Sequence, residues 1–86
     1  MEEKDMPTIN MIATGQNIDA MRKARGFSMR DLQEIFGFGT VNTIYTWCRG
    51  TKLPSIDNLV LLADVFGVRI DDLLAVDGRQ EVRNAA

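Results

Sequence analysis

The sequence predicts an all-α domain of five helices built around a helix-turn-helix. Three observations point there. Apolar residues recur at helical spacing, as in Leu32, Ile35 and Phe36 or in Leu59, Leu62, Ala63 and Phe66. Ser28 and Ser55, good N-caps, stand just ahead of such stretches. Glycines 26, 37, 50 and 67 stand just behind them, where helices commonly stop.

Size and composition narrow the function classes. At 86 residues the chain is one domain with a small core. Its 45% hydrophobic and 26% charged residues are ordinary for a soluble globular protein. No apolar run approaches the roughly 18 residues of a membrane span. The opening MEEKDMPTIN lacks the basic and apolar regions of a signal peptide, so none is expected. One cysteine excludes an internal disulfide and fits a reducing cytoplasm. With no histidine as well, a zinc site and a Cys–His or Ser–His catalytic pair are excluded within this sequence. There is no GxxxxGK[ST] or GxGxxG loop, and the carboxylates are scattered along polar faces. An enzyme is not expected, nor is a cofactor or a metal.

In chain order, residues 1–13 read as an N-terminal arm. Met6-Pro7 disfavours helix, and Thr8, Ile9, Met11 and Ile12 suit a short extended piece. Such an arm can pack on its own domain, pair with a partner arm or stay loose. Residues 14–76 form the domain. Thr14 caps a first helix, from about Gly15 to Arg25, with Ile18, Met21 and the stem of Arg25 inward. Arg22, Lys23 and Arg25 crowd its last turn, where cations favour the helix dipole; that role is preferred to phosphate contact for each. Phe27 sits where a hydrophobic staple would.

Ser28 and Asp31 make a capping-box-like start to the second helix, and Gly37 and Gly39 make a glycine-rich turn after it. Thr40 caps a third helix, about Val41 to Arg49, with Ile44 and Trp47 inward. The fourth follows Ser55, with Ile56, Leu59, Val60, Leu62, Ala63 and Phe66 as a wide apolar stripe. The fifth is short, Asp71 to about Ala75, with Leu73 and Leu74 apolar. Residues 77–86 show no apolar period and read as a flexible tail.

The third helix is the candidate site. Val41, Asn42, Thr43, Tyr45, Thr46 and Arg49 are left outward, and a face mixing amide, hydroxyl, phenol and guanidinium suits base edges in a major groove. The plain alternative is an αα-hairpin with a polar solvent face. Tyr45 can lie over a sugar-phosphate or base, or pack across the second helix with its hydroxyl exposed. Trp47 is read as core rather than as a stacking platform. Lys52, just past the helix, can reach a phosphate or be a solvated loop lysine.

The net charge of −2 is unevenly spread. Between residues 15 and 52, Arg22, Lys23, Arg25, Arg30, Arg49 and Lys52 outnumber Asp19, Asp31 and Glu34, whereas residues 53–86 and 1–14 are net acidic. The positive part coincides with the candidate reading unit, with Arg30 in it as a further phosphate contact. A difference of this size also arises by chance in short chains.

These pieces, in order and at close to the expected spacing, resemble the Cro/C1-type helix-turn-helix domains, the XRE family of bacterial and phage transcription regulators. The matching stretches are IDAMRKARGFSMRDL, IYTWCRG, LPSIDNLVLLADVFGV and IDDLL, spanning about Thr14 to Leu74. ATGQNI and GFGTVNTIYTWCRGTKLPSIDNL resemble a subgroup with a slightly long turn and an Ile-Tyr-x-Trp motif. The resemblance implies a compact lambda-repressor-like domain, a homodimer on double-stranded DNA, and transcriptional regulation with repression as the expected sign. By motif position Asn42 and Thr46 would read bases, with Tyr45 added from the exposed face. Val41 would meet a thymine methyl, and Thr40 and Arg49 phosphates. Two departures stand out. Met29 replaces a frequent phosphate-contacting glutamine, and Gly39 is an extra turn residue that can rotate the third helix. With few charges on that helix, the alternative is a protein-interaction module on the same fold, such as an antitoxin-like or accessory partner.

Overall fold

The computed structural model of the protein describes residues 6–78. They run β1 (Thr8–Ile9), α1 (Met11–Ala24), α2 (Met29–Phe36), α3 (Asn42–Arg49), α4 (Ile56–Phe66), α5 (Ile70–Leu73) and β2 (Val76–Asp77). The five expected helices are all present, and their ends follow local chemistry. On α2 the Ser28 hydroxyl accepts the Asp31 N–H at 3.0 Å and the Asp31 carboxylate accepts the Ser28 N–H at 2.8 Å, a complete capping box. Ser55 caps α4 by accepting the Asn58 N–H.

The largest boundary differences from expectation are in α1 and α5. α1 starts at Met11, four residues before Gly15, because Asn10 rather than Thr14 is its cap, accepting the Ala13 N–H at 2.9 Å. Thr14 is fully buried instead, and its hydroxyl accepts the Ala75 N–H at 2.9 Å. α5 stops at Leu73, short of the expected Ala75, because Leu74 turns extended, with ψ 132°, and leads into β2. β2 pairs antiparallel with β1, Thr8 opposite Asp77 and Ile9 opposite Val76. The Asn10 N–H also donates to the Ala75 carbonyl at 2.8 Å and the Asn17 amide to the Leu73 carbonyl at 3.0 Å. One side of α1 thus holds the chain's return after α5. Most of the expected tail lies outside the described residues.

The core is Ile18, Leu32, Ile44, Trp47, Leu59, Leu62, Ala63, Phe66 and Leu73. Three residues counted as inward are not. Ile35 is 44% exposed, Ile56 76% and Val60 52%. On α4 the buried four share one side, and at 3.6 residues per turn Ile56 and Val60 stand roughly a quarter turn away. The buried stripe is therefore narrower than the apolar pattern of the sequence. An aromatic cluster ties the helix-turn-helix together: the Trp47 ring meets Phe36 edge-on at 5.4 Å and Phe38 at 5.8 Å, centroid to centroid. Phe38 belongs to the turn itself, and the Gln33 amide pins it by donating to its carbonyl.

Candidate nucleic-acid interface

α3 is one register shorter than expected at its start. Val41 is the residue before the helix and makes no side-chain cap bond, but the Thr40 hydroxyl accepts the Asn42 N–H at 3.2 Å. At the other end Gly50 adopts φ +78°, and the chain folds back on the Thr46 carbonyl. That carbonyl accepts from the N–H groups of Thr51 and Lys52 at 3.0 and 3.3 Å. The backbone of Lys52 is therefore fixed beside α3, whatever its side chain does.

With Ile44 and Trp47 buried, α3 turns Asn42, Tyr45, Thr46 and Arg49 the other way. At 100° per residue these four fall within about a third of the circumference. Two shallow grooves flank them. One is lined by Arg30, Thr40, Val41 and Tyr45 with Met29 and Gln33, and the other by Asn42, Thr43, Thr46 and Lys52 with Leu53, Ser55 and Asn58. Arg49 lies over the Tyr45 ring, its guanidinium carbon 5.8 Å from the centroid. All eight candidate residues thus stand on α3 or around it. Tyr45 is 40% exposed and faces the α2 side of its groove, between the two alternatives read for it. The Thr46 hydroxyl donates to the Thr43 carbonyl at 2.6 Å, which leaves its oxygen free to accept and its methyl free for contact. Asn42 has no side-chain hydrogen bond among the described residues.

The cations divide by use. Arg22 and Lys23 both pair with Asp19, at 2.9 and 3.2 Å, and Arg22 also donates to the Phe27 carbonyl. Arg25 donates to the Phe66 carbonyl at 2.8 Å, which closes α1 onto the end of α4. Three of the six cations between residues 15 and 52 therefore serve the fold, through Asp19 and two backbone carbonyls. Arg30, Arg49 and Lys52 form no ion pair among the described residues, and these are the three around α3.

Burial pushes the Asp19 carboxyl up, but the hydrogen bonds and charges of Arg22 and Lys23 outweigh it and hold it below the usual carboxylate range. Cys48 follows Trp47 on α3 and is half-buried. Burial first, then the Asp19 carboxylate beside it, raise its thiol to about 11. A thiol so protonated is a poor nucleophile.

Asn58 and Ser55 were missed as groove residues. In the sequence Ser55 signals only a helix cap, and Asn58 carries no signal of its own. Their place follows from how the 51–55 loop returns α4 to α3. Met29 packs partly against the core, as its lack of a donor allows.

This arrangement defines a helix-turn-helix domain of lambda-repressor-like fold. A model of the helix-turn-helix family matches residues 18–73, well over half of the sequence, and the chain belongs to that family, in its Cro/C1-type branch. It is a family of binding domains, not of enzymes. A search of curated proteins finds no match. Among solved structures, the chain is similar to the DNA-binding domain of BldD, at 24% identity and a TM-score of 0.65, over 76% of this chain and 93% of that one. The S. venezulae BldD DNA-binding domain gives 24% and 0.64, over 76% and 96%. The restriction-modification controller protein C.AhdI from Aeromonas hydrophila gives 24% and 0.65, over 73% and 94%. At that identity the likeness speaks for the fold.

Proposed function

We propose that the protein is a sequence-specific DNA-binding transcriptional regulator that reads the major groove with α3 as a homodimer. The observation that carries this is the sorting of side chains around α3. Asn42, Thr46 and Tyr45 face outward together, and Arg30, Arg49 and Lys52, which form no ion pair among the described residues, rim them. Asn42 suits an adenine edge, and Thr46 accepts from a base amino group or meets a thymine methyl with its own. Val41 adds apolar contact. Thr40, Arg49, Lys52 and Arg30 hold phosphates on either side. No arginine–guanine fork is built into this set, so one subunit binds modestly and two half-sites supply the rest. Repression is the sign assigned here, since a domain this small acts most simply by occupying its site. The site of action is the cytoplasm, where a lone free cysteine stays reduced. The names of the similar BldD and C.AhdI structures agree with this reading.

The test is selection from a random-sequence duplex pool at two salt concentrations. The expected result is a palindrome with half-sites about one helical turn apart. Recovery of no sequence, with only weak salt-sensitive binding, overturns base reading. The second reading, a protein-interaction module, is favoured by Ile56 and Val60, which present apolar surface on α4. A pull-down that yields a stoichiometric partner alongside a failed selection would support it.

A further inference from the structure

α1 and the C-terminal end of α3 meet backbone to backbone. A side-chain carbon on Gly15 would collide with the Trp47 carbonyl oxygen and lie 2.6 Å from that of Cys48. A side-chain carbon on Gly50 would lie 2.6 Å from the Ile12 Cα. The obstructing atoms are main chain and cannot swing aside. The contacts follow one stripe of α1, at Met11, Gly15 and Asp19, four apart. The Met11 carbonyl lies against Gly50, Gly15 under the last turn of α3, and the Asp19 carboxylate beside the Cys48 thiol.

The other end of α3 is held less firmly. Its N-cap residue makes no side-chain bond, so the Thr40 hydroxyl, accepting the Asn42 N–H at 3.2 Å, is the side-chain cap there, and Gly39, two residues before Val41, has open space where a side chain would be. The angle of α3 is therefore set where it sits on α1. A push of about 1 Å at one end of an eight-residue helix, about 12 Å long, turns it by roughly 5°. That displacement exceeds the roughly 0.5 Å range over which a hydrogen bond keeps its length.

We propose that Gly15 is a positioning residue for the reading helix: its missing side chain lets α3 seat on α1 at the angle that presents Asn42, Thr46 and Arg49 together. This rests on the reading of α3 given above. The test compares the full chain with Gly15→Ala, Ala20→Ser and Ala63→Gly. Ala20→Ser adds one side-chain atom to the same helix at an exposed position off the seat. Ala63→Gly loosens α4 without touching the seat. Two quantities are read under conditions where circular dichroism shows each chain folded. Trimethylamine N-oxide is added to all four if Gly15→Ala needs it.

The first quantity is the set of backbone amide shifts. Gly15→Ala moves those of Asn42 to Gly50 as a block, including residues far from the substitution. The second is the ratio of affinities for the selected duplex and a scrambled one. It falls about tenfold or more in Gly15→Ala, the scale of losing one good base contact, and holds in the two controls. Unmoved α3 amides, or an unchanged ratio in a chain whose α3 has moved, overturn the proposal. So does a Gly15→Ala chain that stays unfolded in the osmolyte, which makes Gly15 a folding residue. If the native chain itself prefers no sequence, the DNA reading has failed, and the amide shifts alone decide the seat.

Discussion

Trp47→Ala separates packing from contact on the reading helix. Trp47 is 3% exposed and touches two further aromatic rings edge-on, at 5.4 and 5.8 Å. Truncating a buried tryptophan costs about 3–5 kcal/mol. The two ring pairs put this residue toward the upper part of that range, because such pairs add about 0.5–1.5 kcal/mol each beyond area. A domain of this length has a total stability of roughly 4–13 kcal/mol, so the variant loses from about a third to all of it. The assay is urea unfolding followed by far-ultraviolet circular dichroism, because the only tryptophan is the one removed. Trp47→Phe keeps a ring in the cluster and should lose less, roughly 1–3 kcal/mol, while binding DNA as the native chain does once both are folded. A Trp47→Ala chain within about 1 kcal/mol of native stability whose DNA binding has collapsed would refute this account. The indole would then be a stacking platform.

Four other outcomes are expected. Asn42→Ala and Thr46→Ala each weaken the selected duplex by about 1–3 kcal/mol at one base position and leave scrambled DNA nearly unaffected; equal loss on both would sink the base-reading assignment. Lys52→Ala weakens all duplexes alike and makes the slope of log K against log salt shallower by about 0.9 per subunit, as titration with salt will show. The Cys48 thiol is raised to about 11, so the unfolded chain ionises first; stability present below about pH 9 is lost as pH rises toward 11, and Cys48→Ala should flatten that fall in a thermal melt. Asp19 is held below its ordinary value, so its contribution is present above about pH 3.9 and fades as pH drops through the lower folded value; the melting-temperature gap between the native chain and Asp19→Asn should therefore narrow from pH 5 to pH 2.

What could be read in advance follows the range of each interaction. The capping box of Ser28 and Asp31 was legible because its partners lie three residues apart. So was the inward pair Ile44 and Trp47, set by helical period alone. Thr14 looked like a cap because its real partner, the Ala75 N–H, is 61 residues on. The pairing of β1 with β2 was out of reach for the same reason. Ile56 and Val60 show the limit of periodicity, which gives the direction of an apolar stripe but not how much of its width a small core can cover. Gly15 and Gly50 are harder still, since a close backbone approach leaves no mark except a glycine, and several glycines here only end helices.

The charges make the same point about the site. Summed along the sequence, Arg22 and Arg30 count equally, and a net of −2 argues weakly against a polyanionic partner. In the fold they differ. Asp19 takes up Arg22 and Lys23, Asp31 is engaged in a cap, and the Asp72 carboxylate accepts the Arg69 N–H at the start of α5. Local geometry thus binds these acids to their own helices, while Arg30, Arg49 and Lys52, without an ion pair among the described residues, stand around α3. A phosphate backbone within a Debye length of about 8 Å meets those nearby cations more strongly than the chain's overall balance. For a domain this small, where the charges are spent matters more than their sum.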